Sequence, residues 1–195
     1  WIPSAEYAGF FVAQHDGKFD AAGVMPKILP GGPNSASIPL VTSKRALVAI
    51  EAIPENVVNA IKEGNPIKMV GALFQKSPEC WVSLASNPVK EPKDIEGKRL
   101  GITLAGRNTA IVFMERNGVD TSKVTLVPIQ FDPAPLVNNE IDALWGLASN
   151  QPVTLELAGH QTHVMPLADY GFNRMQNVFM VREDTLADKA KAETL

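Results

Sequence analysis

Short apolar runs alternate with helical patterns along this 195-residue chain, and the alternation limits the folds that it can adopt. Residues 54–64 have proline in the first turn and glycine at the end, which is typical of a helix, and an apolar run over 67–74 follows. The pattern recurs as a strand over 99–103, a helix over 107–117 and a strand over 124–129. Strands and helices that alternate in this way predict an α/β fold with a parallel sheet.

Two polar segments predict that the chain forms two lobes. Residues 86–92 are polar and contain two prolines, which is typical of a connection between lobes. A return crossing is expected near residues 168–175. Lobe 1 would then comprise residues 1–85 and 172–195, and lobe 2 would comprise residues 86–171. Ligands bind beyond the carboxyl ends of the strands in open α/β sheets, so the loops after strands form the expected site.

The composition excludes several classes of partner and site. A net charge of −3 at pH 7 gives no reason to expect nucleic acid or an anionic membrane, since both favour a basic surface. No apolar stretch approaches the roughly 20 residues of a membrane span. The single cysteine, Cys80, excludes an intrachain disulfide and any multi-cysteine metal site. His160 and His163 have a spacing that zinc sites use but lack a third ligand nearby, so we expect neither a metal nor a cofactor.

The opening run over residues 1–13 carries a family resemblance. It reads Trp-Ile-Pro-Ser-Ala-Glu-Tyr-Ala-Gly-Phe-Phe-Val-Ala and is similar to the Trp-x-Pro-x-x-x-x-Ala-Gly-Phe/Tyr-x-Val-Ala pattern of the SsuA/NMT1-like solute-binding proteins. These proteins serve ABC importers of nitrate, sulfonates, thiamine pyrimidines and riboflavin. Shorter matches follow in the family's order at residues 90–98, 117–120, 140–143 and 168–171. The chain departs from the family at Lys44, which follows Ser43 where relatives usually have glycine.

The resemblance implies a two-lobe periplasmic-binding-protein fold of type II with two hinge crossings. We expect the chain to be incomplete at both ends, because no strand precedes its first helix and relatives continue past the equivalent of Leu195. The implied function is an extracytoplasmic receptor of an ABC importer that captures a small molecule between its lobes by hinge closure. Its partners would be that ligand and the membrane permease. It would act as a monomer, either in the periplasm or as a membrane-anchored extracellular lipoprotein.

Loops beside strands and helix starts supply the candidate ligand-binding residues. Trp1 and Trp145 could stack on a planar ligand from opposite sides, whereas Arg107 at a helix start favours an anion. Gln151 lies where many relatives carry a glutamate that binds a ligand amine, which indicates a less basic ligand. For each residue a structural role, such as packing or helix capping, is the alternative. The full candidate set is Trp1, Glu6, Tyr7, Asn34, Ser35, Glu51, Gln75, Arg107, Asn108, Trp145, Asn150, Gln151 and Asp169.

The aromatic side chains favour a flat heteroaromatic ligand, such as a thiamine pyrimidine precursor or a flavin. Small sulfonates and nitrate remain alternative ligands, because Arg107 could bind an anion. Two other functions share the fold. One is a pyrimidine synthase that consumes its own histidine and pyridoxal phosphate, but the opening loops of this chain contain no histidine, so we expect no enzyme. The other is a sensory ligand-binding domain joined to a signalling module.

Overall fold

The structure is a computed structural model that describes residues 4–29, 31, 36–104 and 106–193. The chain divides into two compact units. Unit 1 comprises residues 1–75 and 175–195, and unit 2 comprises residues 76–174.

Strands and helices alternate over most of the described residues, as the sequence predicts. Helices α1 to α9 are, in chain order, Ala8–His15, Lys18–Ala21, Ser37–Thr42, Pro54–Lys62, Arg107–Arg116, Ala134–Val137, Gln151–Leu157, Glu183–Ala187 and Lys189–Ala192. Strands β1 to β8 are Val48–Glu51, Ile67–Phe74, Glu79–Leu84, Arg99–Ile102, Thr125–Pro128, Ala143–Leu147, Thr162–Pro166 and Gln176–Arg182. Short 3-10 helices lie at Ala5–Tyr7, Pro92–Ile95, Thr121–Lys123 and Leu167–Tyr170.

Unit 1 is built on a three-stranded sheet in the order β1-β8-β2. Strand β8 runs antiparallel to both neighbours, with Glu51 opposite Val178 and Phe74 opposite Gln176. Helix α4 connects β1 to β2, but these two strands do not pair because β8 lies between them. Two antiparallel ladders therefore replace the parallel pairing that the alternation of strand and helix predicts.

The core of unit 1 joins its sheet to helices α3 and α4. Val178 and Met180 are two residues apart on β8 and so point to the same face, where Val57 and Ala60 of α4 and Val41 of α3 join them. Val57 and Ala60 are three residues apart and therefore lie on one side of α4. Burying a valine or methionine side chain is worth about 1.5–3 kcal/mol, so this stripe is enough to hold α4 on the sheet.

Unit 2 is built on a five-stranded mixed sheet in the order β5-β4-β6-β3-β7. Strand β4 pairs in parallel with β5 and β6, and α5 forms the crossover from β4 to β5. Strand β3 pairs antiparallel with β6 and β7. The predicted parallel pairing is thus correct for β5, β4 and β6 but wrong for β3, which runs antiparallel to both of its neighbours.

Strand β3 is buried on both faces of the sheet. Cys80 and Val82 pack with Leu144 on one face, and Trp81 packs with Leu100 on the other. Such a strand reads as a continuous apolar run rather than an alternating one. Its two sets of core contacts, both within unit 2, assign β3 to that unit.

The first boundary between the units lies between residues 75 and 76, whereas the sequence indicates a crossing near residues 86–92 and places β3 in lobe 1. Residues 86–92 lie within unit 2, where the carboxylate of Asp94 accepts two backbone N–H groups at the start of a 3-10 helix. The prolines of this segment therefore mark a turn inside unit 2. The second boundary lies between residues 174 and 175.

Two segments of unit 1 differ from their sequence patterns. The apolar run over residues 24–29 predicts a strand but forms none, and Met25 is 90% exposed. A strand needs a neighbour for its backbone hydrogen bonds, and no described strand pairs with this run. Residues 37–42 form helix α3, which the sequence analysis does not predict. The helix tolerates Pro39 because this residue lies in the first turn, where its missing N–H costs nothing.

Candidate functional site

The predicted ligand-binding residues divide between the two units. Trp1, Asn34 and Ser35 lie outside the described residues. The described candidates are Glu6, Tyr7, Glu51 and Gln75 in unit 1, and Arg107, Asn108, Trp145, Asn150, Gln151 and Asp169 in unit 2.

One edge of the unit 1 sheet holds two of these candidates. Strand β1 ends at Glu51, and β2 ends one residue before Gln75. Strand β8 begins between them and runs antiparallel to both, so the three strand ends lie side by side. Glu51 and Gln75 therefore share the edge formed by the carboxyl ends of β1 and β2, which is where α/β sheets bind ligands.

The half-buried carboxylate of Glu51 joins three segments of unit 1. It accepts hydrogen bonds from the hydroxyl of Ser37, from Nδ2 of Asn56 at 3.0 Å and from the backbone N–H of Ile53 at 3.3 Å. Ser37 begins α3, and Asn56 lies in the first turn of α4. A carboxylate can accept about four hydrogen bonds, so Glu51 positions its neighbours and keeps some capacity for a ligand donor.

Tyr7 is half-buried at the end of the 3-10 helix that precedes α1. Its hydroxyl oxygen accepts a hydrogen bond from Nδ2 of Asn177 at 3.4 Å. Burial, followed by the negative charges of Glu6 and Glu51, raises the pKa of Tyr7 above its ordinary value. The phenol therefore stays protonated at physiological pH and can donate a hydrogen bond.

Asn177 belongs to the same group, although its position in the sequence does not single it out. It lies near the start of β8, is 3% exposed and has a φ of 54°, in the left-handed region. Its backbone N–H donates to the carbonyl of Ala52 at 3.4 Å, which ties β8 to the loop after β1. Asparagine adopts this backbone conformation more readily than most residues. The position of an asparagine directly before the apolar run over residues 178–181 is the signal that could have found it.

Two hydroxyls in predicted ligand loops have unused hydrogen-bonding capacity. Ser4 precedes the first 3-10 helix of unit 1, and Ser149 follows β6 in unit 2. The Oγ of each is buried and makes no hydrogen bond within the described part of the chain. Buried hydroxyls in native proteins nearly always have a partner, because an unpaired one costs about 1–3 kcal/mol.

The structure places Trp145 in the core of unit 2. The residue is 8% exposed, and its ring meets that of Trp81 edge to face with centroids 5.2 Å apart. This geometry is a favourable aromatic packing arrangement. Trp145 is the middle residue of β6, and core contacts occupy its indole, while its place in the predicted ligand wall stays a prediction.

Gln151 is likewise used inside unit 2. It is 2% exposed, and its Oε1 accepts the backbone N–H of Leu147 at 2.8 Å. A Cβ at Gly146 would lie 2.8 Å from that oxygen, so glycine is what allows the contact. This hydrogen bond joins α7 to β6, and the hypothesis that Gln151 binds a ligand in place of the family's glutamate stays a prediction. The preceding Asn150 is half-buried, and its side chain makes no capping bond.

Arg107 and Asn108 are the first residues of α5, and both are exposed. Arg107 lines a cavity of about 270 Å³ whose other lining residues are Ile111, Met114, Thr121, Val124 and Leu126. Within the part of unit 2 that is described, its guanidinium forms no ion pair. Arg107 thus lies in a groove made by unit 2 alone.

Asp169 is paired within unit 2. Its carboxylate accepts a hydrogen bond from Nζ of Lys76 at 2.8 Å on the exposed surface. Nearby in sequence, the guanidinium of Arg174 donates to both carboxylate oxygens of buried Glu79 at 3.2 and 3.3 Å, and Ser77 donates to the second of these oxygens. These bonds join the segments at the two ends of unit 2. Asp169 is therefore an ion-pair partner rather than a free carboxylate.

The described residues also limit other chemistries. Among them, no group of three or more His, Cys, Asp or Glu side chains could hold a metal ion. Burial, with a smaller contribution from Glu79, raises the pKa of the Cys80 thiol to about 12, so this thiol is not a nucleophile at neutral pH. No helix in the described ranges is long and apolar enough to cross a lipid bilayer.

The sequence model of the NMT1/THI5-like proteins matches residues 4–194. The chain belongs to this family. Among its relatives, the riboflavin-binding protein RibY of Chloroflexus aurantiacus is 26% identical over 194 residues, which cover 96% of this chain and 54% of RibY. A putative thiamine biosynthesis protein of Haemophilus influenzae is 23% identical over 153 residues, covering 77% of this chain and 48% of that protein.

A third NMT1/THI5-like relative has the name of an enzyme. The 4-amino-5-hydroxymethyl-2-methylpyrimidine phosphate synthase of Schizosaccharomyces pombe is 26% identical over 159 residues, covering 80% of this chain and 45% of the synthase. The chain thus spans about half the length of the curated relatives that it matches.

Solved structures confirm the predicted fold class. The periplasmic aliphatic sulphonate-binding protein SsuA of Escherichia coli superimposes with a TM-score of 0.70 at 13% identity, over 95% of this chain and 65% of SsuA. An ancestral arginine-binding protein superimposes with a TM-score of 0.60 at 16% identity, over 95% of this chain and 80% of that protein. The chain has the two-sheet α/β fold of type II periplasmic binding proteins.

Proposed function

We propose that the protein is the extracytoplasmic solute-binding receptor of an ABC importer and that its ligand is a small heteroaromatic molecule. The match of the NMT1/THI5-like family to residues 4–194 carries this proposal. The likeness to the fold of SsuA supports the receptor class. The names of two relatives, a riboflavin-binding protein and a thiamine biosynthesis protein, favour a flavin or a thiamine pyrimidine over a sulfonate.

On unit 1, we assign the ligand to the edge that holds Tyr7, Glu51 and Gln75, with Glu6 beside Tyr7. The Tyr7 phenol supplies a donor, and the Gln75 amide supplies a donor and an acceptor, which suits the edge of a heterocycle. The two carboxylates repel an anion, because like charges a few ångströms apart cost energy even near a protein surface. This charge favours a neutral or cationic ring over nitrate or a sulfonate.

On unit 2, we assign the ligand to Asn108 and Asn150, whose side chains are not committed to core contacts. Ser149 precedes Asn150, and its unpaired hydroxyl supports a ligand or water at the start of α7. Ser4 offers the same capacity before α1. Trp1, Asn34 and Ser35 stay in the proposal on the family resemblance alone.

The proposed mechanism is capture by hinge closure, without a covalent step. The ligand would bind between the two lobes, select the closed form and so present to the permease a surface that the free receptor rarely shows. The receptor would work as a monomer in the periplasm, or as a lipoprotein on the outer side of the membrane.

Native mass spectrometry of protein purified without refolding tests the ligand class. We expect a mass increment of a heteroaromatic compound, and binding of added riboflavin or 4-amino-5-hydroxymethyl-2-methylpyrimidine in preference to ethanesulfonate. Tyr7→Phe should weaken that binding about tenfold, because it removes one buried hydrogen bond. Tyr170→Phe is the matched control, since its hydroxyl donates to the carbonyl of Lys90 inside unit 2. A bound aliphatic or inorganic anion alone, or Tyr7→Phe without effect, would contradict the proposal.

A synthase is the second candidate, because one relative carries that name. Two residue types that such a synthase would use are poorly placed among the described residues. Cys80 is buried, and His15 is exposed and hydrogen-bonded to Asp16. Absorbance of bound pyridoxal phosphate on the purified protein, together with loss of one histidine during turnover, would support this candidate over the receptor.

A further inference from the structure

A groove runs between helix α5 and strand β5 in unit 2, here called the α5–β5 groove. Arg107, Ile111 and Met114 line it from α5, and their spacing of four and three residues places them on one face of the helix. Thr121, Val124 and Leu126 line the opposite side. Strand β5 is at the edge of the five-stranded sheet, so no further described strand covers this side.

The groove combines an apolar floor with one positive charge. Four of its six lining side chains are aliphatic or thioether groups, and Met114 is fully buried beneath them. The guanidinium of Arg107 is exposed and forms no ion pair with any described residue. An arginine presents planar donors that bind a carboxylate or sulfonate through two parallel hydrogen bonds.

Two carboxylates close to Thr121, those of Asp120 and Glu96, are already paired. Asp120 precedes Thr121, and its carboxylate accepts from Ser122 and lies 3.4 Å from Nζ of Lys123. The Glu96 carboxylate accepts the backbone N–H of Asp120 and lies 2.9 Å from Nζ of Lys93 and 3.4 Å from Nζ of Lys123. The N–H of Asp120 first, and then the lysines, lower the pKa of Glu96 to about 2. These acids are therefore held by lysines rather than by Arg107, which leaves the guanidinium without a counter-charge.

We propose that the α5–β5 groove binds a small amphipathic anion, with its carboxylate or sulfonate on Arg107 and a short aliphatic chain on Ile111, Val124 and Leu126. The cavity of about 270 Å³ is slightly smaller than the pockets of about 300–1,000 Å³ that hold drug-sized ligands, so a short chain fits it. This site is made by unit 2 alone. The inference does not rest on the heteroaromatic site proposed above.

The experiment is a titration of the whole chain, followed by backbone amide NMR shifts, with sodium hexanoate as the probe. We expect saturable shifts at Ile111, Thr121 and Leu126. Acetate has the charge without the chain, and 1-hexanol has the chain without the charge, so each should bind at least about tenfold more weakly than hexanoate. Because an exposed ionic contact is screened by salt, added sodium chloride should weaken hexanoate binding and leave 1-hexanol unaffected.

Arg107→Gln removes the charge and should weaken hexanoate binding about tenfold. Arg116→Gln is the matched control, because it removes the same charge from the last turn of α5, outside the groove lining, and should change nothing. Circular dichroism confirms that both variants fold.

Three outcomes would overturn the inference: no saturable shifts at the lining residues, equal affinity for hexanoate and 1-hexanol, or equal loss in both variants. Riboflavin and pyrimidine binding by Arg107→Gln separates the two proposals. Unchanged binding supports a separate groove, whereas a parallel loss would assign Arg107 to the heteroaromatic site and refute the groove. Absence of heteroaromatic binding in the unmodified protein refutes only the proposed function.

Discussion

Units 1 and 2 use the ends of their strands differently. In unit 1, Glu51 and Tyr7 stay half-buried at the sheet edge and bond to other polar groups. In unit 2, Trp145 in the middle of β6 and Gln151 at the start of α7 are buried and make contacts inside the unit. Core clusters cover both faces of the unit 2 sheet near β3, whereas a single cluster holds α3 and α4 on the unit 1 sheet. A residue predicted to bind a ligand is therefore available to one only where no packed helix or strand covers its side chain.

The largest expected effect concerns Cys80, which lies in unit 2 and makes that unit separately observable. Its pKa of about 12 lowers the thiolate fraction near neutral pH about a thousandfold relative to an ordinary thiol. Burial slows attack further. We expect almost no reaction with iodoacetamide in the native protein and rapid reaction in urea, measured by mass spectrometry.

The sign of the accompanying pH effect follows from the raised pKa. The stabilisation from keeping Cys80 neutral is complete below the unfolded-state pKa of about 8.5 and is lost as pH rises toward the folded-state value. Cys80→Ser should flatten this alkaline decline in the free energy of unfolding. Fast labelling of the native protein at a rate equal to that of an unfolded peptide would show that unit 2 is open around β3.

The next effect in size is the loss of the Trp81–Trp145 pair. Trp145→Ala should lower the free energy of unfolding by about 3–5 kcal/mol, because it removes a buried ring and leaves a cavity beside Trp81. Urea denaturation followed by Cys80 labelling measures this for unit 2 alone. Leu157→Ala is the control, since Leu157 is 86% exposed and should cost less than about 0.5 kcal/mol. If Trp145→Ala instead leaves the stability unchanged and abolishes ligand binding, Trp145 contacts the ligand rather than stabilising the core.

Glu51→Gln tests the polar edge of unit 1 and should have a smaller effect. The substitution keeps the shape but places an NH2 group among three donors, so we expect a loss of about 1–2 kcal/mol in the free energy of unfolding. The Tyr7 pKa should fall at the same time, because one of the negative charges that raise it disappears. Ultraviolet titration of the phenol measures that shift.

Glu63→Gln is the control for this edge, because Glu63 is an exposed residue at the end of α4. It should leave both the stability and the phenol titration unchanged. If Glu51→Gln also leaves both unchanged, the bonds from Ser37, Ile53 and Asn56 carry no net stability, and the contrast between the units is weaker than the structure indicates.

The smallest effect is expected at Lys44, the family's glycine position. Lys44 has a φ of 63°, which costs a non-glycine residue about 1–2 kcal/mol, and forms an exposed ion pair with Asp184 at 3.1 Å, worth about 0–1 kcal/mol. Lys44→Gly should therefore raise the free energy of unfolding by about 0.5 kcal/mol. Lys44→Ala loses the ion pair without relieving the backbone, so an equal gain in both variants would refute the explanation.

Much of the local structure follows from sequence pattern. Strand β2 has the predicted bounds, and α4 begins at the predicted proline, because proline, glycine and apolar spacing act over a few residues. The left-handed backbone conformation at Lys44, where relatives usually have glycine, likewise depends only on residues close in sequence. The run over residues 24–29 has the composition of a strand but no partner, and composition cannot supply one.

The sequence by itself determined the family and the alternation of strand and helix, since these depend on residue order and local conformation. The tertiary structure alone decided which strands pair, where unit 2 begins, and which loop residues are covered. Pairing and burial depend on residues far apart in sequence, as when Gly146 admits Gln151 or Asn177 reaches Tyr7. The same holds for Trp145, whose packing against Trp81 brings together residues 64 positions apart.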